Sequence, residues 1–110
     1  MPKYLFTTRY TLEGLKGLIK EGGCKRREAV RAAFESLGGT MEAYYYAFGG
    51  TDLFILVDLP DNMTATAASL VGNVSGASKI EITVLISPEE VDQATDLAKE
   101  KMAAYRPPGE

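Results

Sequence analysis

The sequence predicts an α+β fold: an antiparallel four-stranded sheet with helices on one face and a further helix at the C-terminal end. Three observations carry this. Four segments rich in β-branched and aromatic residues are separated by helical periodicities and glycine-rich breaks. Their order is strand, helix, two strands, helix, strand. A Ser87-Pro88-Glu89-Glu90 signature then opens a last helix, with proline at its first position. At 110 residues the chain has room for one domain, 1–110, with one core.

The first strand is Lys3–Tyr10, "KYLFTTRY". Thr11 caps a turn of helix in which Leu12, Leu15, Leu18 and Ile19 recur at helical spacing. Gly14 and Gly17 weaken this segment, and Gly22-Gly23 interrupts it. A stronger helix begins near Lys25, with Val30, Ala33, Phe34 and Leu37 as its apolar stripe, and Gly38-Gly39 ends it. Thr40–Phe48 is the second strand, Gly49-Gly50-Thr51 the hairpin connection, and Asp52–Leu59 the third strand, stopped by Pro60. Residues 62–76 form a helix with Ala65, Ala68, Leu70 and Val71 as its contacts, ended by Gly76. Ser78–Ile86 alternates cleanly as the fourth strand. The last helix runs to about Ala104, and 105–110 is expected to be a mobile tail. The order is the split βαβ, ferredoxin-like βαββαβ arrangement, with both core helices on one sheet face.

Period-2 alternation assigns the faces. Leu53, Ile55, Val57 and Leu59, with Ile80, Ile82, Val84 and Ile86, are expected beneath the helices. In the second strand the smaller set, Met41, Ala43, Tyr45 and Ala47, is placed with them. The open face then receives Leu5, Thr7 and Arg9, Glu42, Tyr44, Tyr46 and Phe48, Asp52, Phe54, Leu56 and Asp58, and Glu81. Aromatic and aliphatic residues on an uncovered sheet mark an interface. Two such faces packed together form a barrel-like sandwich with two-fold symmetry.

The segments "YLFTTRYTLEG", "RREAV", "ESLGG", "AYYYAFGGTD" and "DLPDN" resemble the GYD-domain family, over about Tyr4 to Pro88. The most specific pieces are Leu37-Gly38-Gly39 and Tyr46 to Asp52. The family's name-giving triplet reads Gly50-Thr51-Asp52 here, with threonine in place of tyrosine. The resemblance implies a dimeric α/β barrel built from ferredoxin-like subunits. It carries no agreed reaction.

Composition excludes several chemistries. The chain has no histidine and one cysteine, Cys24. Histidine-based triads and dyads, proximal-histidine haem, the usual zinc enzymes and an intrachain disulfide are therefore ruled out. No metal and no cofactor is expected. The formal charge is −3, against a general nucleic-acid binder, although residues 1–50 carry +3 and residues 51–110 carry −6. No apolar run approaches a membrane span and no signal-peptide core opens the chain, so a cytoplasmic protein is expected. The Asn62-Met63-Thr64 and Asn73-Val74-Ser75 sequons are read as chance matches.

The candidate ligand-binding residues are Thr7, Arg9, Tyr44, Tyr46, Asp52, Phe54 and Glu81, brought together on the open face. The aromatics would form a wall, and Arg9, Asp52 and Glu81 would orient a polar group. Asp52 reads first as a turn residue bonded to nearby backbone amides and only second as a ligand or acid–base group, and Glu42 and Glu81 read as solvated residues rather than a carboxylate pair. The stretch Gly22 to Arg27 is weighed as an anion-binding loop with Cys24 near its cations, against a plain helix start. The expected function is binding, or cofactor-free conversion, of a small hydrophobic or aromatic compound by a homodimer or higher homo-oligomer. The alternative is a structural module that uses the sheet face only for assembly. Composition leaves open whether the protein is an enzyme.

Overall fold

The computed structural model describes all residues, Met1–Glu110. Its elements are β1 (Lys3–Tyr10), α1 (Leu12–Glu21), α2 (Gly23–Ser36), β2 (Thr40–Tyr46), β3 (Leu53–Asp58), α3 (Asn62–Val74), β4 (Ser78–Leu85) and α4 (Pro88–Lys101), with a 3₁₀ turn at Met102–Ala104. The strands pair antiparallel in the order β2-β3-β1-β4. This is the ferredoxin-like α+β arrangement followed by a C-terminal helix. The sheet is open within one chain.

Local chemistry sets the boundaries. The Thr11 side chain accepts from the Gly14 amide at 3.2 Å and donates to the Gly76 carbonyl at 2.7 Å, which ties the start of α1 to the turn after α3. Gly22, at φ 87, breaks α1 from α2. At the end of α2, Gly38 takes φ 81, and the Gly38 and Gly39 amides bond to Glu35 and Phe34 carbonyls. Asp61 caps α3 by accepting from the Thr64 amide at 2.8 Å. Ser87 and Glu90 form the capping box expected at the start of α4.

The core lies between the sheet and α2 and α3. It holds Tyr4 and Phe6 of β1, Met41 of β2, Leu53, Ile55 and Val57 of β3, Leu59, Phe34 and Ala65. Phe6 and Phe34 meet edge to face at 5.1 Å, and the Tyr4 hydroxyl donates to Asn62 Oδ1 at 2.6 Å. The face assignments hold in β1 and β3. Ile80 and Ile82 of β4 also pack on the core, whereas Val84 and Ile86 stay exposed.

Two expectations are corrected. In α3 it is Ala65 and Ala68 that face the core, while Leu70 and Val71 point away. Gly72 explains the close seating of this helix, since a Cβ there would collide with the Ile80 side chain. In β2 the register shifts between Met41 and Ala43. Met41 stays beneath the helices, but Ala43 and Tyr45 move to the open face, opposite Leu56 and Phe54.

Gly39 and Gly17 give a paired test of this packing. A Cβ at Gly39 would lie 2.5 Å from Leu59 Cδ2 and 2.6 Å from the Asp58 carbonyl oxygen, whereas one at Gly17 meets nothing within 4 Å. Urea unfolding should show Gly39→Ala destabilised by roughly 1–3 kcal/mol. Gly17→Ala, in an open helical position, should be stabilised by up to about 1 kcal/mol. Equal midpoints for the two variants would contradict this packing.

Candidate functional site

The register shift in β2 builds the site. Glu42 is the extra residue between Met41, opposite Val57, and Ala43, opposite Leu56. Its carboxylate bonds to Lys3, whose ammonium also reaches Asp58 Oδ1 at 3.0 Å. Beyond the bulge, Tyr44 stands opposite Ile55 and Tyr46 opposite Leu53, so both rings lie on the helix-covered face. This corrects their expected place on the open face.

There the tyrosines meet the first turn of α2. Tyr46 donates to the Gly23 carbonyl at 3.1 Å, and its hydroxyl lies 3.1 Å from that of Tyr44. With the Tyr46 proton given to Gly23, its oxygen accepts from Tyr44. Tyr10 packs against the same core beside these two tyrosines. The Tyr44 and Tyr46 rings meet edge to face at 5.3 Å, and Phe48 stacks on Tyr46 at 5.5 Å with the planes 4° apart. Gly23 eases this approach, because a Cβ there would lie 3.1 Å from the Tyr46 ring, tighter than ordinary contact.

The result is an open cleft of about 400 Å3 lined by Gly23, Cys24, Arg27, Tyr44, Tyr45 and Tyr46. Arg27 stands at its rim with Nε 2.9 Å from Glu28, which Arg31 also contacts at 3.3 Å. Cys24 is exposed. Burial raises the Tyr44 phenol far above the ordinary tyrosine range, and the hydrogen bond to Tyr46 adds to the shift. Burial raises Tyr10 as well. These phenols are thus neutral hydrogen-bond groups at physiological pH. The cleft offers aromatic surface, neutral hydroxyls, a thiol and one guanidinium.

The other anticipated residues lie elsewhere. Thr7 is flanked on the open face by Phe54 and Glu81, and Tyr45 continues this row beside Phe54. Arg9 donates to the Gly50 carbonyl at 2.5 Å, which pins the β2–β3 loop. Asp52 accepts from the Tyr10 amide at 2.8 Å and extends the ladder through its own amide to Thr8. That is the backbone-bonding role weighed for it, reached across strands rather than within the turn. The sheet therefore separates Tyr44 and Tyr46 from Thr7, Phe54 and Glu81. Sequence reasoning missed Tyr10, and it weighed the Gly22–Arg27 stretch, Arg27 included, without connecting it to the tyrosines. Three consecutive tyrosines fit either face, so the skipped residue left no signal in the sequence.

The tyrosine chain has a consequence for alkaline titration. A phenol whose folded pKa exceeds its unfolded value contributes stability that is complete below about pH 10 and is lost as pH rises beyond it. Tyrosinate absorbance should show fewer than six phenols ionising before the chain unfolds. Tyr44→Phe should remove part of the late, unfolding-linked component. Six normal titrations in the folded protein would contradict the buried chain.

Neither the curated proteins nor the solved structures contain a match to the chain. The model of the GYD domain matches residues 4–95, from the first core residue of β1 into α4. The match takes in both Gly23–Arg27 and Tyr44–Tyr46, and the chain belongs to the GYD-domain family.

Proposed function

We propose that this chain is a small-molecule-binding protein that works as a homodimer in the cytoplasm, with its ligand in the Tyr44–Tyr46 cleft. The carrying observation is the cleft of about 400 Å3, where a hydroxyl chain, aromatic faces and the Arg27 cation converge. Its volume falls within the range of small-molecule sites. The chemistry suits a compact planar compound bearing a carboxylate, phenolate or similar acceptor. Arg27 would meet the charge and the rings would meet the flat body. Binding is favoured over catalysis because the buried phenols stay protonated and supply no base. An exposed unpaired thiol, Cys24, suits a reducing compartment, and no helix is long and apolar enough to cross a membrane.

A second reading, assembly through the open sheet face, is favoured by a separate observation. Phe54 and Tyr45, the latter 72% exposed, stand beside Leu5, Leu56 and Ala43 with no helix over them. In the proposed dimer this face meets its copy, with Thr7 between Phe54 and Glu81 and with Arg9 further along β1.

Native mass spectrometry of protein purified from its own host should show a retained small molecule. Tyr46→Phe and Arg27→Ala should each weaken its binding by about fivefold or more. Wild-type affinity in both variants would overturn the cleft assignment. For the sheet face, Phe54→Asp should raise the dimer dissociation constant by about tenfold or more in sedimentation experiments, because it buries an unpaired charge. An unchanged constant would remove this face from the assembly.

A further inference from the structure

Helix α3 is amphipathic in an unusual sense. Its small residues, Ala65, Ala68 and Gly72, face the sheet, and its large ones face outward. Met63, Leu70, Val71 and Val74 are all exposed, Val71 by 72% and Val74 by 88%. With Ala67 they recur at i, i+4, i+7, i+8 and i+11, a single stripe about 16 Å long. The helix contains no charged residue. A solvent-facing helix surface ordinarily carries charge, and an uncharged apolar stripe marks a covered one.

Helix α4 presents the counterpart. None of its residues is buried. It leaves the sheet at Leu85, and the chain reaches a length of 58 Å with a radius of gyration of 17.9 Å, against about 13 Å for a compact chain of this size. Val91, Leu97 and Met102 are exposed and, with Ala94 and Ala98, line one side of the arm over about 16 Å. Glu89, Asp92, Asp96 and Glu100 fall on the opposite side and keep it in water.

We propose that α4 of one chain lies along the α3 stripe of a second copy of the same chain. The two stripes match in length, and neither is covered within its own chain. A two-fold exchange covers both at once on both copies, whereas an unrelated partner would need two separate matching surfaces. The neutral α3 adds no repulsion to the acidic arm. Four strips about 16 Å long and roughly 10 Å wide, with side-chain relief roughly doubling the flat area, bury about 1,300 Å2, just above the lower bound for specific stable interfaces. This contact is independent of the ligand cleft and of the open sheet face.

The test uses the full chain in a Cys24→Ser background. One preparation carries Val71→Cys, the other Leu97→Cys, and they are mixed, equilibrated and treated with a short bismaleimide. The expected product is a covalent heterodimer. Its yield should fall at least tenfold when Glu89→Cys, on the acidic side of the arm, replaces Leu97→Cys. It should persist when Phe54→Asp is added, which separates this contact from the sheet-face dimer. If a chain carrying both cysteines closes on itself at high dilution, the arm belongs to its own subunit and the proposal is overturned. Absence of any Val71–Leu97 product overturns it equally, as does equal reaction from both sides of the arm.

Discussion

One extra residue in β2 decides which face of the sheet carries Tyr44 and Tyr46. Without the bulge at Glu42, Tyr44 and Tyr46 would share the open face with Phe54, and Tyr45 would point at the helices. With it, they turn toward α2 and reach Gly23. A shift of one residue reverses every side chain beyond it, so the bulge acts as a switch between two different surfaces. Lys3, bonded to both Glu42 and Asp58, holds the shifted strand against its neighbours. Exposed ion pairs add little stability. The value of this one is positional.

The same economy governs the helix layer. Helices sit close to the sheet where glycine or alanine stands at the contact: Gly14 against the Ala77 carbonyl, Gly39 against Leu59, Gly72 against Ile80. Close seating pushes larger apolar residues outward, so Leu12, Ile19, Leu70, Val71 and Val74 are exposed. Only 12 of 110 residues are buried in the isolated chain, a thin core even for a domain of this size. The apolar material that a single chain leaves uncovered is spread over the open sheet face, α1, α3 and α4.

Most elements were legible because their punctuation is local. Thr11, Gly22, Gly38, Pro60 and the Ser87 capping box stop or start the chain by side-chain and backbone chemistry that a few neighbouring residues determine. The faces of β1 and β3 were legible because strict alternation survives in them. The β2 face was not, because a bulge leaves no mark in the alternation of Tyr44, Tyr45 and Tyr46. Tyrosine is amphipathic and suits either side of a sheet. The orientation of α3 was hidden for a related reason. Small and large apolar residues share the helix with no charge to mark the wet side, so periodicity alone could not choose. The partners of Arg9 and Asp52 are backbone groups more than forty residues away in sequence, and no local pattern encodes them.

The β2–β3 loop shows how firmly one wall of the cleft is set. Phe48 takes φ 56, a left-handed conformation rare for a bulky residue, although two glycines follow it immediately. Such a residue costs roughly 1–3 kcal/mol and persists only when its surroundings over-determine it. Here the ring stacks on Tyr46, the Ala47 amide bonds to the Asp52 carbonyl, and Arg9 holds Gly50. The Asp52 carboxylate is engaged with the Tyr10 amide, and Glu28 with Arg27 and Arg31. Arg27, the charged residue lining the cleft, is thus already paired with Glu28, and the rings are already stacked. A ligand entering it would order little that is not ordered beforehand, and low reorganisation favours selective recognition of a small rigid molecule.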